Sequence, residues 1–253
     1  MEGGSFVALD SVERMGIQSW CFRGFKTHEE VADALKACGI NRIELSHAHY
    51  KPWEAGDQRQ IVDFYRERGI TISCYGAFGI GADEDKARKV FDFAAAADFE
   101  TIVVMPGEGG IETGEKLCAE YGKKVAVHNH GRHDPYGPPW AIEKVFAETS
   151  PNFGLCLDTA WMIDSGFDPV EMADRFAERL YGVHVKDFVF DRAGKPSDVV
   201  VGEGNLDLPA LLRVLEKNGF DGFFTLEYEG DVDDPVPATK KCVEAILRAA
   251  EAL

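Results

Sequence analysis

The chain has 253 residues, of which 45% are hydrophobic and 28% charged, a balance that supports a substantial core and excludes a disordered chain. A formal charge of −17 at pH 7 repels phosphate backbones and anionic lipid surfaces, so nucleic acid and membrane are set aside as partners. A neutral or cationic small molecule fits better, and a small anion beside a metal stays admissible.

Met1–Ser5 reads as a flexible end and is set aside. From there one rhythm runs through the chain: a short apolar run, a polar loop, a helical pattern, then a restart. "RMGIQSW" precedes the helix "THEEVADALKACG", "NRIELS" precedes "DQRQIVDFYRERG", "ITISCY" precedes "DEDKARKVFDFAAAADF" and "TIVVM" precedes "ETGEKLCAEYG". "KVAVHNH" then precedes "PPWAIEKVFAETS", "FGLCLD" precedes "DPVEMADRFAE", "LYGVHVKDF" precedes "DLPALLRVLEKNG", and "GFFTLEYEG" precedes the closing "ATKKCVEAILRAAEAL". Gly39, Gly69, Gly122 and Gly219 stand where helices should end. Eight strand and helix pairs over this length predict α/β architecture as a single (β/α)8 barrel, one domain over residues 1–253. An open doubly wound sheet is the weaker alternative, because "QSWCFRGF" is no glycine-rich phosphate turn.

Cys21, Cys38, Cys74, Cys118, Cys156 and Cys242 are scattered singly, without metal-knuckle spacing, and read as buried thiols of a reducing compartment. With no signal-like or membrane-spanning apolar run, the expected location is cytoplasmic.

Alternate residues of a strand share a face, so polar residues can be assigned sides by counting from apolar neighbours. His128 and His130 share a face with Ala126, against Val125 and Val127. Asp158 shares one with Gly154 and Cys156, His184 and Lys186 with Gly182, and Glu227 and Glu229 with Phe223 and Thr225. The bulky aliphatics should face the helices and the small residues the barrel axis. Four successive strands then bring His128, Asp158, His184 and Glu227 to the carboxyl-end mouth, where barrel enzymes keep their chemistry. One such residue is more often a hydrogen-bonded histidine or a helix cap, but four on one inferred face are hard to explain separately. Two imidazoles and two carboxylates suit a divalent cation with positions left for substrate.

Other candidates surround them. Glu44 shares the inward face of the second strand with Ser46, and His47 and His49 follow in its loop, within expected reach of substrate. Gln18, Trp20 and Arg23 end the first strand, where Trp20 can stack on a sugar face or plug the barrel. Lys186 offers a cation for a substrate oxygen, against a salt bridge to Asp187 or Asp158. "VGEGN", Val201 to Asn205, reads as a tight loop capping the next helix, with a phosphate cradle as the weaker reading.

The segments "GIQSWCFR", "KVAVHNHG", "LCLDTAWMIDSGFDP", "YGVHVKDF", "VGEGNLDLPALLRVLEKNGFDG" and "TLEYEGD" resemble the xylose-isomerase-like superfamily of barrels. The branch is that of sugar phosphate isomerases and epimerases, which includes hydroxypyruvate isomerases, ketose 3-epimerases and inosose dehydratases. The resemblance implies a divalent metal, manganese, cobalt, zinc or magnesium, held by Asp158, His184 and Glu227. It also admits a homo-oligomer. At the fifth strand the epimerases carry a metal-binding, proton-moving glutamate where this chain has His128, as in a subgroup with a similar "HNH" pattern. Trp161 likewise replaces a histidine common in the epimerases, which places it among the substrate contacts. With His128 as ligand the site sums to zero formal charge around a divalent cation, and its nitrogen content makes magnesium the least favoured metal.

A metal bridging a sugar's carbonyl and neighbouring hydroxyl stabilises an enediolate. Glu227 is the expected base, with His128, His130 or a second-strand-loop histidine opposite and Lys186 assisting. The first expectation is a metal-dependent isomerase or epimerase of a keto or aldo sugar. The second is a lyase or dehydratase eliminating water or an aglycone from a keto sugar, keto-glycoside or inosose. A non-catalytic sugar- or metal-binding barrel is a third, and a DNA repair endonuclease is remote given the acidic charge.

Overall fold

The computed structural model describes residues 10–253; the Met1–Ser5 opening lies outside them. The strands are β1 (Gly16–Gln18), β2 (Arg42–Leu45), β3 (Thr71–Ile80), β4 (Thr101–Pro106), β5 (Lys124–His128), β6 (Phe153–Asp158), β7 (Leu180–Val185), β8 (Phe188–Phe190), β9 (Pro196–Asp198) and β10 (Phe223–Leu226). Eight of them close a parallel barrel in the order β1-β10-β7-β6-β5-β4-β3-β2, so the architecture is the (β/α)8 barrel the rhythm implies. β8 and β9 form a separate antiparallel hairpin. It was not anticipated, although its Asp191–Lys195 turn, with Gly194 at φ 77°, is a local signal for one.

The helices start and stop for local reasons. Thr27 and Glu30 form a reciprocal capping box at the helix His28–Ala37. Gly39, Gly69, Gly122 and Gly219 leave their helices with φ between 62° and 75°, as their positions predict. Among the described residues no helix is long and apolar enough to cross a membrane. All six cysteines are buried and free.

Strand parity divides the core. Val125, Val127, Leu155, Leu157, Val183, Val185, Phe224 and Leu226 belong to the large cluster between sheet and helices. Cys74, Val103, Ala126 and Cys156 form a separate small cluster inside the barrel, with Tyr181 and Phe223 packed against it. Small side chains there leave the axis narrow and packed, as barrel layers require. Register adds something that parity does not contain. His128 pairs with Cys156, and Asp158, two residues higher, pairs with His184. His184 in turn pairs with Thr225, two residues below Glu227. The functional residues therefore climb in steps of two across the sheet, and the tilt of barrel strands brings the steps together at the mouth.

Gly182 shows how tight the interior is, since a Cβ there would lie 1.8 Å from the Phe223 ring. Overpacking of this kind costs about 1–3 kcal/mol, or roughly 3–10 °C in melting temperature for a chain of this size. Gly182→Ala is expected to lower the thermal midpoint by that amount, whereas Gly166→Ala, with open space around its Cβ, should feel only its positive φ.

Candidate functional site

His128, Asp158, His184 and Glu227 each turn one ligand-type atom into a common space, the four atoms lying within 4.8 Å of one another. His128 Nε2 is 3.1 Å from His184 Nδ1, 3.7 Å from Asp158 Oδ2 and 3.9 Å from Glu227 Oε2. His184 Nδ1 is 3.1 Å from Glu227 Oε2. The ligand atoms of a tetrahedral zinc site with bonds near 2.05 Å lie about 3.3 Å apart, so these separations fit a small divalent cation. Asp158 Oδ2 and Glu227 Oε2 are buried without a well-formed hydrogen bond. Such orphaned acceptors are costly unless a cation or proton meets them. Asp158 Oδ1 is occupied elsewhere, accepting the Trp161 backbone N–H at 2.9 Å to cap the helix Thr159–Asp164. One carboxylate thus fixes a helix with one oxygen and faces the cluster with the other.

A further carboxylate orients the cluster from behind. Glu44 Oε2 accepts from His184 Nε2 at 2.9 Å, and Glu44 Oε1 accepts from Gln18 Nε2 at 2.7 Å. Gln18 Nε2 also donates to the Gly76 carbonyl at 3.1 Å. Placing the His184 proton on Nε2 leaves the Nδ1 lone pair aimed into the cluster, the arrangement by which carboxylates tune metal-binding imidazoles. Glu44 is fully buried, so the expected substrate contact is corrected: it lies behind His184 and does not line the cavity.

Lys186 also departs from expectation. It is 1% exposed, absent from the cavity lining, and paired with Glu229 and, at 3.9 Å, with Asp198 of β9. Burial disfavours its charge, but Glu227, Asp158, Glu229 and Asp198 together hold its pKa above the usual value. Its field acts in return on Glu227: burial opposes ionisation there, yet Lys186 and His184 keep the carboxyl well below its ordinary range. Burial lifts Asp198 to about 6. Lys186 is therefore a buried counter-charge for the acidic mouth. Its salt-bridge partners are Glu229 and Asp198 and neither Asp187 nor Asp158, and it does not line the cavity.

Asp187 has its own work. Its carboxylate accepts the backbone N–H groups of Gly202 and Gly204 at 2.9 Å each, Asn205 at 2.8 Å and Leu206 at 3.0 Å. The "VGEGN" turn wraps a carboxylate of the protein, so its amides are not offered to a phosphate. Asp207 caps the following helix.

Above the cluster opens a cavity of about 210 Å³. Gln18, Trp20, His47, His130 and Trp161 line it with His128, His184 and Glu227, and among the described residues no lysine or arginine does. Trp20 faces His47 with ring centroids 5.2 Å apart and donates Nε1–H to Glu229 Oε2 at 3.0 Å. His130 packs against Trp161 at 4.5 Å; burial and then the neighbouring His128 lower its pKa. His49 is corrected too: it points away, its Nε2 bonded to the Phe22 carbonyl at 3.1 Å, and burial pushes its pKa down to about 4. Loop curvature after β2, which parity cannot follow, separates it from His47. Glu229, Met105, Gly76 and Ala77 were missed as lining residues. For Glu229 the signal was present in its shared parity with Glu227. Ala77 belongs to the unforeseen extension of β3 beyond Tyr75.

The profile of xylose isomerase-like TIM barrels matches residues 32–249. The chain belongs to this family. It is 26% identical to the inosose dehydratase of Geobacillus thermodenitrificans (strain NG80-2) over 272 aligned positions, covering 98% of this chain and 89% of that protein. It is 30% identical to the rhizopine catabolism protein MocC of Rhizobium meliloti over 135 positions, 48% of this chain and 41% of that protein, so the match spans less than half of MocC. A crystal structure of the IolI protein with a bound zinc atom superposes with a TM-score of 0.73 at 14% identity, covering 92% of this chain and 98% of that one.

Two outcomes follow from the geometry. Glu44→Gln should weaken zinc binding about 10–100-fold with the circular dichroism spectrum unchanged, as titration calorimetry would measure. His49, held neutral when folded, binds a proton more readily once unfolded, so its contribution to stability falls as pH drops from 6.5 toward 4. Discounted for partial exposure, that loss is about 2 kcal/mol. Urea titrations at pH 7 and pH 4 should show it in the wild type and not in His49→Gln.

Proposed function

We propose that the chain is a divalent-metal-dependent carbon–oxygen lyase acting on a neutral polyhydroxylated ketone, the inosose dehydratase class of reaction. The carrying observation is the asymmetry of the mouth. His128 turns Nε2 into the cluster where an epimerase would need a second proton-moving carboxylate, and of the two carboxylates lining the cavity Glu227 faces the cluster whereas Glu229 is tied up by Lys186 and Trp20 Nε1–H. The match to an inosose dehydratase across nearly the whole chain agrees with that reading.

His128, Asp158, His184 and Glu227 would hold the cation, which when bound supplies Lewis-acid polarisation of a carbonyl oxygen. The nitrogen-rich donor set favours zinc, cobalt or manganese over magnesium. Glu227 faces the cluster through Oε2, and its second oxygen takes the hydrogen from the carbon next to the carbonyl. The electron pair moves to the carbonyl oxygen and returns to expel the oxygen on the next carbon. His130, on a separate wall, hydrogen-bonds that departing oxygen. Trp20 and Trp161 give flat apolar surfaces for the C–H faces of a ring. The lack of cationic lining residues favours a substrate without phosphate.

The second reading is isomerisation or epimerisation through the same enediolate, with His130 or His47 as partner to Glu227. Proton NMR of an inosose in deuterium oxide separates the two: loss of the adjacent hydrogen with appearance of a 2-hydroxy-enone or its 1,2-dione tautomer is expected. Exchange without elimination would favour the second reading. Glu227→Gln is expected to cut turnover by about 10²–10⁴ while the protein stays folded.

A further inference from the structure

His130 and Trp161 line two spaces at once. Beyond them a second groove of about 310 Å³ runs along the loop after β5, lined by Arg132, His133, Asp134 and Asp164. We infer that this groove is the subsite for a sugar attached through the departing oxygen, so that the preferred substrate is a keto-disaccharide and the leaving group is an alcohol larger than water. The inference rests on the lyase reading above.

The groove is built in advance. Asp164 accepts the Arg132 backbone N–H at 2.8 Å, Nη2 at 2.7 Å and Nε at 3.1 Å. Gly131 is pressed so closely into this wall that a Cβ would lie 2.3 Å from Asp164 Oδ2 and 2.7 Å from the Trp161 ring. Ser165 Oγ donates to the His130 carbonyl at 3.3 Å. Pre-formed polar walls of this kind lower the ordering cost of binding. The groups left over are those a polyol uses: Arg132 Nη1, which has no protein partner among the described residues, the exposed His133 imidazole, and the second oxygen of Asp134, whose Oδ1 accepts from Tyr136 N–H.

Position links the groove to the reaction. A ring over the metal-ligand cluster has its departing oxygen at the partition, beside His130, and whatever that oxygen carries extends past Trp161 into the groove. Elimination requires the leaving group two carbons from the carbonyl, so a glycosidic oxygen on C1 demands a ketone at C3. The C2–H and C1–O bonds break and a C1=C2 double bond forms. The proton removed by Glu227 balances the one the departing alkoxide takes up, and no oxidant is consumed. Dehydrogenation of a ring hydroxyl is then the class of reaction that supplies the substrate.

The test uses the metal-loaded protein, a disaccharide oxidised at C3 of its non-reducing ring, the methyl glycoside of the same oxidised ring, and an inosose. The disaccharide should show a KM about tenfold below the methyl glycoside. His133→Ala should raise the disaccharide KM toward that of the methyl glycoside and leave the methyl glycoside and inosose unchanged. Equal KM values for the two glycosides, or a His133→Ala effect equal on all three, would overturn the subsite. Elimination from the inosose alone would sink the subsite and leave the lyase reading standing. If none of the three loses its α-hydrogen, the lyase reading falls. Calorimetry of the disaccharide on Glu227→Gln with and without His133→Ala then decides the groove on binding alone, where an unchanged affinity rejects it.

Discussion

Two carboxylates and two imidazoles crowd within 4.8 Å of one another at the dry mouth of the barrel, and the surrounding residues are arranged to hold them there. At that separation, with the effective dielectric usual for such sites, two ionised carboxylates repel by roughly 3–4 kcal/mol. Lys186, itself sealed from solvent, contributes a fixed positive charge, while the orphaned Asp158 Oδ2 and Glu227 Oε2 mark the directions from which a cation is called for. Asp158 is tied by its other oxygen to a helix start and His184 by Glu44 to the opposite side of the barrel. The geometry of the cluster is therefore inherited from the scaffold and does not have to form when a ligand arrives.

The charge distribution serves selectivity on two scales. The chain as a whole is strongly acidic, and the cavity offers histidines, aromatic rings and carboxylates without a free cation. Among the side chains lining the cavity, a phosphate group finds no lysine or arginine to pair with. A neutral polyol can use the rings for its C–H faces and the imidazoles for its hydroxyls. The ion pairs of Lys186 with Glu229 and Asp198 join the cavity wall to the β8–β9 hairpin.

Much of this was legible from residue order because strand alternation is local. Counting by twos separates Ala126 and His128 from Val125 and Val127 whatever the rest of the chain does, and the small residues then point to the axis. Distance from the axis and depth are not local. Glu44 and Gln18 have the parity of lining residues, yet Glu44 ends behind His184 and only Gln18 reaches the cavity. His47 and His49 lie two residues apart, but once the strand stops a turn replaces the alternation and sends them to different places. Lys186 shares a face with His184, but its long side chain runs to Glu229, 43 residues away on the β10 side, and to Asp198 on an unforeseen hairpin.

Residue order alone thus establishes eight strand and helix units, a parallel barrel, the inward face of each strand and the four residues able to meet at its mouth. Periodicity and punctuation carry these, being properties of neighbouring residues. Tertiary closure decided the rest: the two-residue climb that brings the four atoms together, the carboxylate behind His184, the burial of Lys186 and the groove beyond Trp161. Those depend on strand tilt, loop paths and contacts between residues far apart in the chain, for which local alternation holds no information.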